Sequence, residues 1–201
     1  MPHNPTAINA WSTAQQFNSG EAATSAQYNQ LVNNLSLLYA KPWIIVANTG
    51  SQTLTTGNQV LTGGSPTVIT NSPASLAGSI TYSSGALTVP LTGLYRVTMY
   101  MSVALQATTA YYFMDALCSG GTAANNHQLS TPRTPTNSGQ ITNSTGSFIL
   151  PMQAGGGTYP NVITFVIGTT AGVTVNGVAL PIGVTTTFVQ LEYLGTSNGS
   201  I

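Results

Sequence analysis

Charge is what this chain has least of. Its 201 residues hold three basic side chains, Lys41, Arg96 and Arg133, and three acidic ones, Glu21, Asp115 and Glu192. That is 3% of the chain, against about a quarter in an ordinary globular domain. Nucleic-acid binding draws its affinity from clustered lysine and arginine that displace counterions. Three cations in three separate segments cannot form such a cluster, and anionic lipid headgroups are excluded on the same ground. Glycoside hydrolysis needs two carboxylates held together, and calcium loops need several acidic ligands; the three carboxylates here fall in three different segments. Cysteine is nearly absent too. Cys118 alone makes neither a disulfide framework nor a cysteine zinc cluster, and His3 and His127 lack the companion ligands a metal needs. The expectation is a protein with no metal and no cofactor. No apolar run approaches the roughly 18 residues of a membrane span. The opening MPHNPTAINAW lacks the basic-then-apolar pattern of a secretory signal. No membrane contact is expected, and synthesis in the cytoplasm is.

What is present is a full complement of core-forming residues, 42% hydrophobic, wrapped in threonine, serine, asparagine, glutamine and glycine. A surface near zero net charge has little colloidal repulsion. It suits a protein packed into an assembly, although a neutral soluble monomer would read the same way. The chain divides at about residue 42. Residues 1–20 read as an extended arm: Pro2 and Pro5 discourage helix, and Ile8, Trp11 and Phe17 are large apolar side chains without local partners. Residues 24–40 read as the one short α-helix. Thr24 with Gln27 fits a capping box, and Tyr28, Leu31, Leu35 and Leu38 form a 3-4-3 apolar stripe that Val32 and Tyr39 widen. Pro42 stops it. Under two heptads long, the stripe fits a short trimeric coiled coil as well as packing against the base of the next domain.

From residue 43 to 201 the pattern is strand and turn. The clearest stretch is 79–106. Tyr95, Val97, Met99, Met101, Val103 and Leu105 alternate with Arg96, Thr98, Tyr100, Ser102, Ala104 and Gln106. A strict period of two is a strand with one face in a core. Trp43–Ala47 reads as a buried first strand, Val68-Ile69 and Val60-Leu61 as short strands in long loops, and 111–118 as a strand apolar on both faces. Further strands are expected at 147–152, 162–167, 173–175 and 188–194, eight to ten in all, with 119–146 as the longest polar loop. Short strands joined by glycine, proline and serine turns indicate an antiparallel all-β sandwich.

Two catalytic patterns fail their context. Gly195-Thr196-Ser197-Asn198-Gly199 spells the hydrolase elbow, but that elbow needs a following helix, acid and histidine, and only two residues follow. Cys118 and His127 lie close in sequence, yet a cysteine in an apolar strand is more often an inert core thiol. The expectation is no enzyme.

Three segments carry a resemblance. Tyr82, Gly85, Leu87, Val89, Pro90, Gly93, Leu94 and Tyr95 are similar in order and spacing to the core signature of the C1q/TNF-like jelly roll. The segment 147–155 resembles that family's G-S-x-x-L-x-L-x-x-G stretch, and Thr187-Phe188-Val189-Gln190-Leu191 resembles its closing strand, with Gln190 where glycine is usual. The resemblance implies an antiparallel jelly-roll sandwich that forms a homotrimer with one sheet turned to the threefold axis. On that basis Arg96, Thr98, Tyr100, Phe188, Gln190 and Glu192 are the expected trimer interface, Phe188 matching an aromatic of the family's trimer contact and Arg96 a partner for Glu192. They would otherwise be rim residues of a monomer.

A shorter resemblance lies upstream. Trp11, Gly20-Glu21, Thr24, Ala26, Asn29, Asn33-Asn34-Leu35 and Leu38 look like a segment near the N-termini of phage tail and head-surface proteins. It implies a virion-surface protein, made in the host cytoplasm, with residues 1–42 as attachment arm and helix. Ile8, Trp11, Phe17, Tyr28, Leu31, Leu35 and Leu38 would then contact the major capsid protein or another virion protein, and residues 43–201 would be the jelly-roll head. Capsid decoration (a cement protein) or a head fibre is the expected role. A tail fibre or tail-tip protein that binds a host glycan is the first alternative. The 119–146 loop lacks the aromatics a sugar site would use. A free C1q-like ligand-binding module is the second.

Overall fold

The computed structural model describes residues 24–39, 41–48, 50–54, 66–70, 79–105, 112–122, 127–128, 141–169, 173–175 and 187–195. Ile8, Trp11, Phe17, Val60-Leu61, Arg133 and the tail beyond Gly195 lie outside them, as does most of the polar loop. Within them are one helix, α1 (Ser25–Tyr39), and twelve strands: β1 (Trp43–Ala47), β2 (Gln52–Leu54), β3 (Thr67–Thr70), β4 (Thr81–Ser83), β5 (Ala86–Thr88), β6 (Gly93–Leu105), β7 (Tyr112–Ser119), β8 (His127–Gln128), β9 (Ile141–Met152), β10 (Val162–Thr169), β11 (Val173–Val175) and β12 (Phe188–Gly195). All the strand pairings are antiparallel.

The strands form two sheets. The larger runs β3-β1-β12-β6, with β9 on the other edge of β6 and β11-β2 continuing from its C-terminal end; the smaller runs β4-β5-β10-β7-β8. Their inner faces meet in one core. The odd residues of β6 supply Tyr95, Val97, Met99 and Met101; β12 supplies Val189, Leu191 and Tyr193; β1 supplies Ile44 and Val46. Across from them stand Leu87, Ala116, Cys118, Ile163 and Phe165 of the smaller sheet. Each large apolar side chain so buried stabilises the fold by about 1.5–3 kcal/mol.

The glycine-leucine-tyrosine stretch has a physical basis in how β6 begins. Tyr95 is fully buried, and its hydroxyl donates to the Leu91 carbonyl at 2.8 Å. Its ring lies 5.2 Å from that of Tyr193 at a 60° tilt, in the favoured range for aromatic pairs. Tyr193 in turn donates to the Thr92 carbonyl at 3.4 Å. Between them the Gly93 backbone passes so close to β12 that a Cβ there would sit 2.5 Å from Gly195 O and 2.6 Å from Tyr193 Cε2. Only a hydrogen fits. Upstream, Ser84 and Gly85 both have positive φ, 47° and 85°, as the two-residue turn of the β4–β5 hairpin requires.

Two expectations need correction. The described residues already hold twelve strands, more than the eight to ten expected. The 119–146 stretch is not one loop: it includes β8, and β9 begins at Ile141 rather than at 147. Ile141-Thr142-Asn143-Ser144-Thr145-Gly146 pairs with Ala104 back to Met99. Backbone hydrogen bonding to a long neighbour made this segment a strand; its sequence carries no alternation of apolar and polar residues.

The helix is capped as read. The Thr24 amide donates to Gln27 Oε1 at 2.8 Å, and the Gln27 amide donates to Thr24 Oγ1 at 3.2 Å. The chain beyond the helix is pinned to the larger sheet: the Tyr193 amide donates to the Pro42 carbonyl at 2.9 Å, and Lys41 Nζ to the Leu194 carbonyl at 3.2 Å. Among the described residues α1 makes no extended packing with any strand. Tyr28, Leu31 and Leu35 stay 60%, 49% and 43% exposed, so these three side chains of the stripe are not covered by the base of their own domain.

Candidate assembly face

The larger sheet has a second face, turned away from the core, and strand register fixes what stands on it. Residues opposite one another in an antiparallel ladder share a face. Three rows cross the sheet. Ala47, Phe188, Tyr100 and Thr145 form one; Ile69, Ile45, Gln190, Thr98 and Ser147 the next; Trp43, Glu192, Arg96 and Ile149 the third. The six residues expected at a trimer contact, on β6 and β12, are therefore brought together as three directly opposed pairs at the centre of this face.

Two of these pairs touch through their side chains, and Thr98 of the third reaches across to β9 instead. The Tyr100 and Phe188 rings stack with centroids 5.7 Å apart and planes 13° from parallel. Thr98 Oγ1 and Ser147 Oγ share a hydrogen bond at 3.2 Å. Arg96 Nη1 reaches Glu192 Oε2 at 3.4 Å, so Glu192 has its counter-charge within its own chain. The pair is largely exposed and contributes at most about 1 kcal/mol.

Sequence reasoning missed the flanks of the face. Ile149 is 55% exposed, and Trp43, Ile45 and Ile69 are half-buried. The signal existed in Trp43-Ile44-Ile45-Val46. A strand apolar at successive positions has both faces apolar, and Trp43 and Ile45 occupy the outer one. Also unforeseen is a polar knot at one end of the sheet. Thr187 Oγ1 accepts from the Ser102 amide at 3.0 Å and donates to the Ser102 carbonyl at 3.3 Å. Beside it the Asn48 backbone amide donates to the Thr187 carbonyl at 2.9 Å, while the fully buried Asn48 side-chain carboxamide has no hydrogen-bond partner among the described residues.

Of the reactive-group candidates, His127 pairs with Ala116 across one edge of β7, and Cys118, two residues further along that strand, pairs with Ile163 across the other. Burial pushes the Cys118 thiol up to about 11 and raises the Asp115 carboxyl above its ordinary range; neither shift produces a nucleophile at neutral pH. Among the described residues no group of three or more histidine, cysteine or carboxylate side chains could hold a metal ion. A raised thiol pKa has a stability consequence. The folded state holds the Cys118 proton more tightly than the unfolded chain, so its contribution is complete below about pH 8.5 and is lost as pH rises towards 11. Burial raises Tyr95 and Tyr193 in the same direction. Denaturant melts at stepped alkaline pH should show a falling midpoint above about pH 9, and a Cys118→Ala chain should lose part of that slope.

No protein-family model and no curated protein sequence matches this chain. Solved structures do. Eiger TNF from S. frugiperda aligns with a TM-score of 0.51 at 12% identity, covering 80% of this chain and 98% of that one. Murine APRIL at pH 5.0 aligns with 0.50 at 12%, covering 77% and 100%. The PRD1 vertex protein P5 aligns at 0.44 and 12%, covering 78% and 98%, a score too low to bear on the assignment. Two sheets of antiparallel strands and the superpositions on Eiger TNF and APRIL identify the fold as a TNF-like jelly roll.

Proposed function

We propose that the protein is a homotrimeric structural component of a phage virion surface, a capsid decoration or head-fibre protein, without catalytic activity. The observation that carries the trimer is the outer face of the larger sheet. A stacked Tyr100–Phe188 pair at its centre, flanked by Ile45, Ile69, Trp43 and Ile149, is the composition of a subunit contact rather than of a solvent-facing sheet. A standard contact takes about 800 Å² from each partner, an area a four- to five-strand face can supply. The near-absence of charge fits a surface largely covered by neighbours. The upstream resemblance around Trp11 and Asn33-Asn34-Leu35 supports attachment to a virion, which we assign to the arm anchors Ile8, Trp11 and Phe17. Three arms on one trimer would bind with avidity.

Light scattering on the full chain at micromolar concentration should give three times the chain mass; a monomer would overturn the trimer. Quantitative mass spectrometry of purified virions against the major capsid protein should give hundreds of copies. A dozen or two would overturn decoration in favour of a tail or vertex fibre.

A further inference from the structure

Helix α1 is fifteen residues long and contains no charged side chain. Isolated helices of that length are marginal in water and depend on packing an apolar face. Asparagine, serine, tyrosine and valine, which together make up most of α1, are weaker formers than alanine or leucine, and one capping box does not hold a helix of this length by itself. The helix therefore needs a partner. Its own jelly roll leaves Tyr28, Leu31 and Leu35 60%, 49% and 43% exposed, and among the described residues no strand packs along the helix.

We propose that α1 packs against the α1 helices of two further copies of this chain, forming a three-helix neck next to the heads. The inference rests on the trimer reading and reassigns Tyr28, Leu31, Leu35 and Leu38 from shell attachment to contacts between subunits. The spacing fits. Tyr28, Leu31, Leu35 and Leu38 occupy a, d, a and d of a heptad, and Val32 and Tyr39 occupy e. A stripe widened beyond a and d suits more than two helices better than a narrow seam does.

Continuity selects copies of this chain as the occupant. The helix ends at Tyr39, and three residues on, Pro42 and Lys41 are held by Tyr193 and Leu194 of β12, the strand that carries Phe188, Gln190 and Glu192. Subunits joined through that face bring their helix ends together. Three uncharged helices meet there with no like-charge contact at e or g, the positions that usually set partner choice. A membrane surface is a poor match, because interfacial helices carry lysine and arginine on the polar face and α1 has none.

The test is disulfide trapping in the full chain. Leu35→Cys, oxidised with diamide, should run as a covalent dimer on non-reducing gels for about two-thirds of the chains, since only two of three facing thiols can pair. Asn29→Cys, on the opposite side of the helix, should stay uncross-linked, and so should the parent chain, whose Cys118 is buried. If Leu35→Cys stays uncross-linked while light scattering still reports a trimer, the neck is overturned and the trimer stands. Equal cross-linking at Leu35 and Asn29 would also overturn it. A monomer by light scattering overturns the trimer reading and the neck with it.

Discussion

Phe188→Asp is expected to convert the trimer to folded monomers. Within one chain Phe188 is only half-buried, and its stack on Tyr100 contributes about 0.5–1.5 kcal/mol, so the jelly roll should survive its loss. At a subunit contact the same substitution removes a central aromatic anchor, a type worth 2 kcal/mol or more. It also places a carboxylate where no cation waits, because Arg96 stands four residues along the ladder and already faces Glu192 at 3.4 Å. The combined cost is at least about 2 kcal/mol per contact, a thirtyfold or greater rise in the dissociation constant. Light scattering across a concentration series, with far-UV circular dichroism on the same samples, reads both halves of the prediction. Glu192→Gln, which removes only one half of a solvent-exposed ion pair on the same face, should change association by under about 1 kcal/mol. A Phe188→Asp chain that remained trimeric would mean that this face does not lie between subunits.

Tyr95→Ala should cost the fold about 3–5 kcal/mol, the range for deleting a large buried aromatic. Three contributions coincide at this residue. The side chain is wholly buried, its ring packs on Tyr193, and its hydroxyl satisfies the Leu91 carbonyl. With net stability of 5–15 kcal/mol in a typical domain, the variant should be marginal or unfolded. Tyr95→Phe separates the contributions. It retains the ring and leaves only the Leu91 carbonyl unsatisfied, for about 1–2 kcal/mol. Denaturant titration with unchanged slope would assign the difference to native-state stability. Equal losses from the two variants would mean that the hydrogen bond, not the packing, dominates.

Tyr95 also marks how far the sequence reaches. Its place in the core was legible because alternation along 95–105 records, residue by residue, which side chains avoid water. The same logic located β12 and the helix, whose capping box closes as read. The Gly93-Leu94-Tyr95 stretch was legible as a motif, but its cause was not. The requirement for hydrogen at residue 93 comes from Gly195 and Tyr193, about a hundred residues away in sequence. The first half of β9 was illegible for a different reason. Backbone amides pair alike whatever side chains they carry, so Ile141–Gly146 became a strand because β6 offered it an edge.

The assembly face divides in the same way. Tyr100 and Phe188 could be placed off the core from period two alone. That they stack, that Arg96 meets Glu192, and that Ile45, Ile69 and Ile149 extend the same apolar surface depend on the register of five strands. By itself the sequence determined the class of fold, the facing of the clearly alternating strands β6 and β12, and how little charge the surface can carry. All of these follow from local periodicity and composition. Tertiary structure alone decided which outward residues become neighbours and whether the helix stripe is covered, because both depend on contacts between segments far apart in the chain.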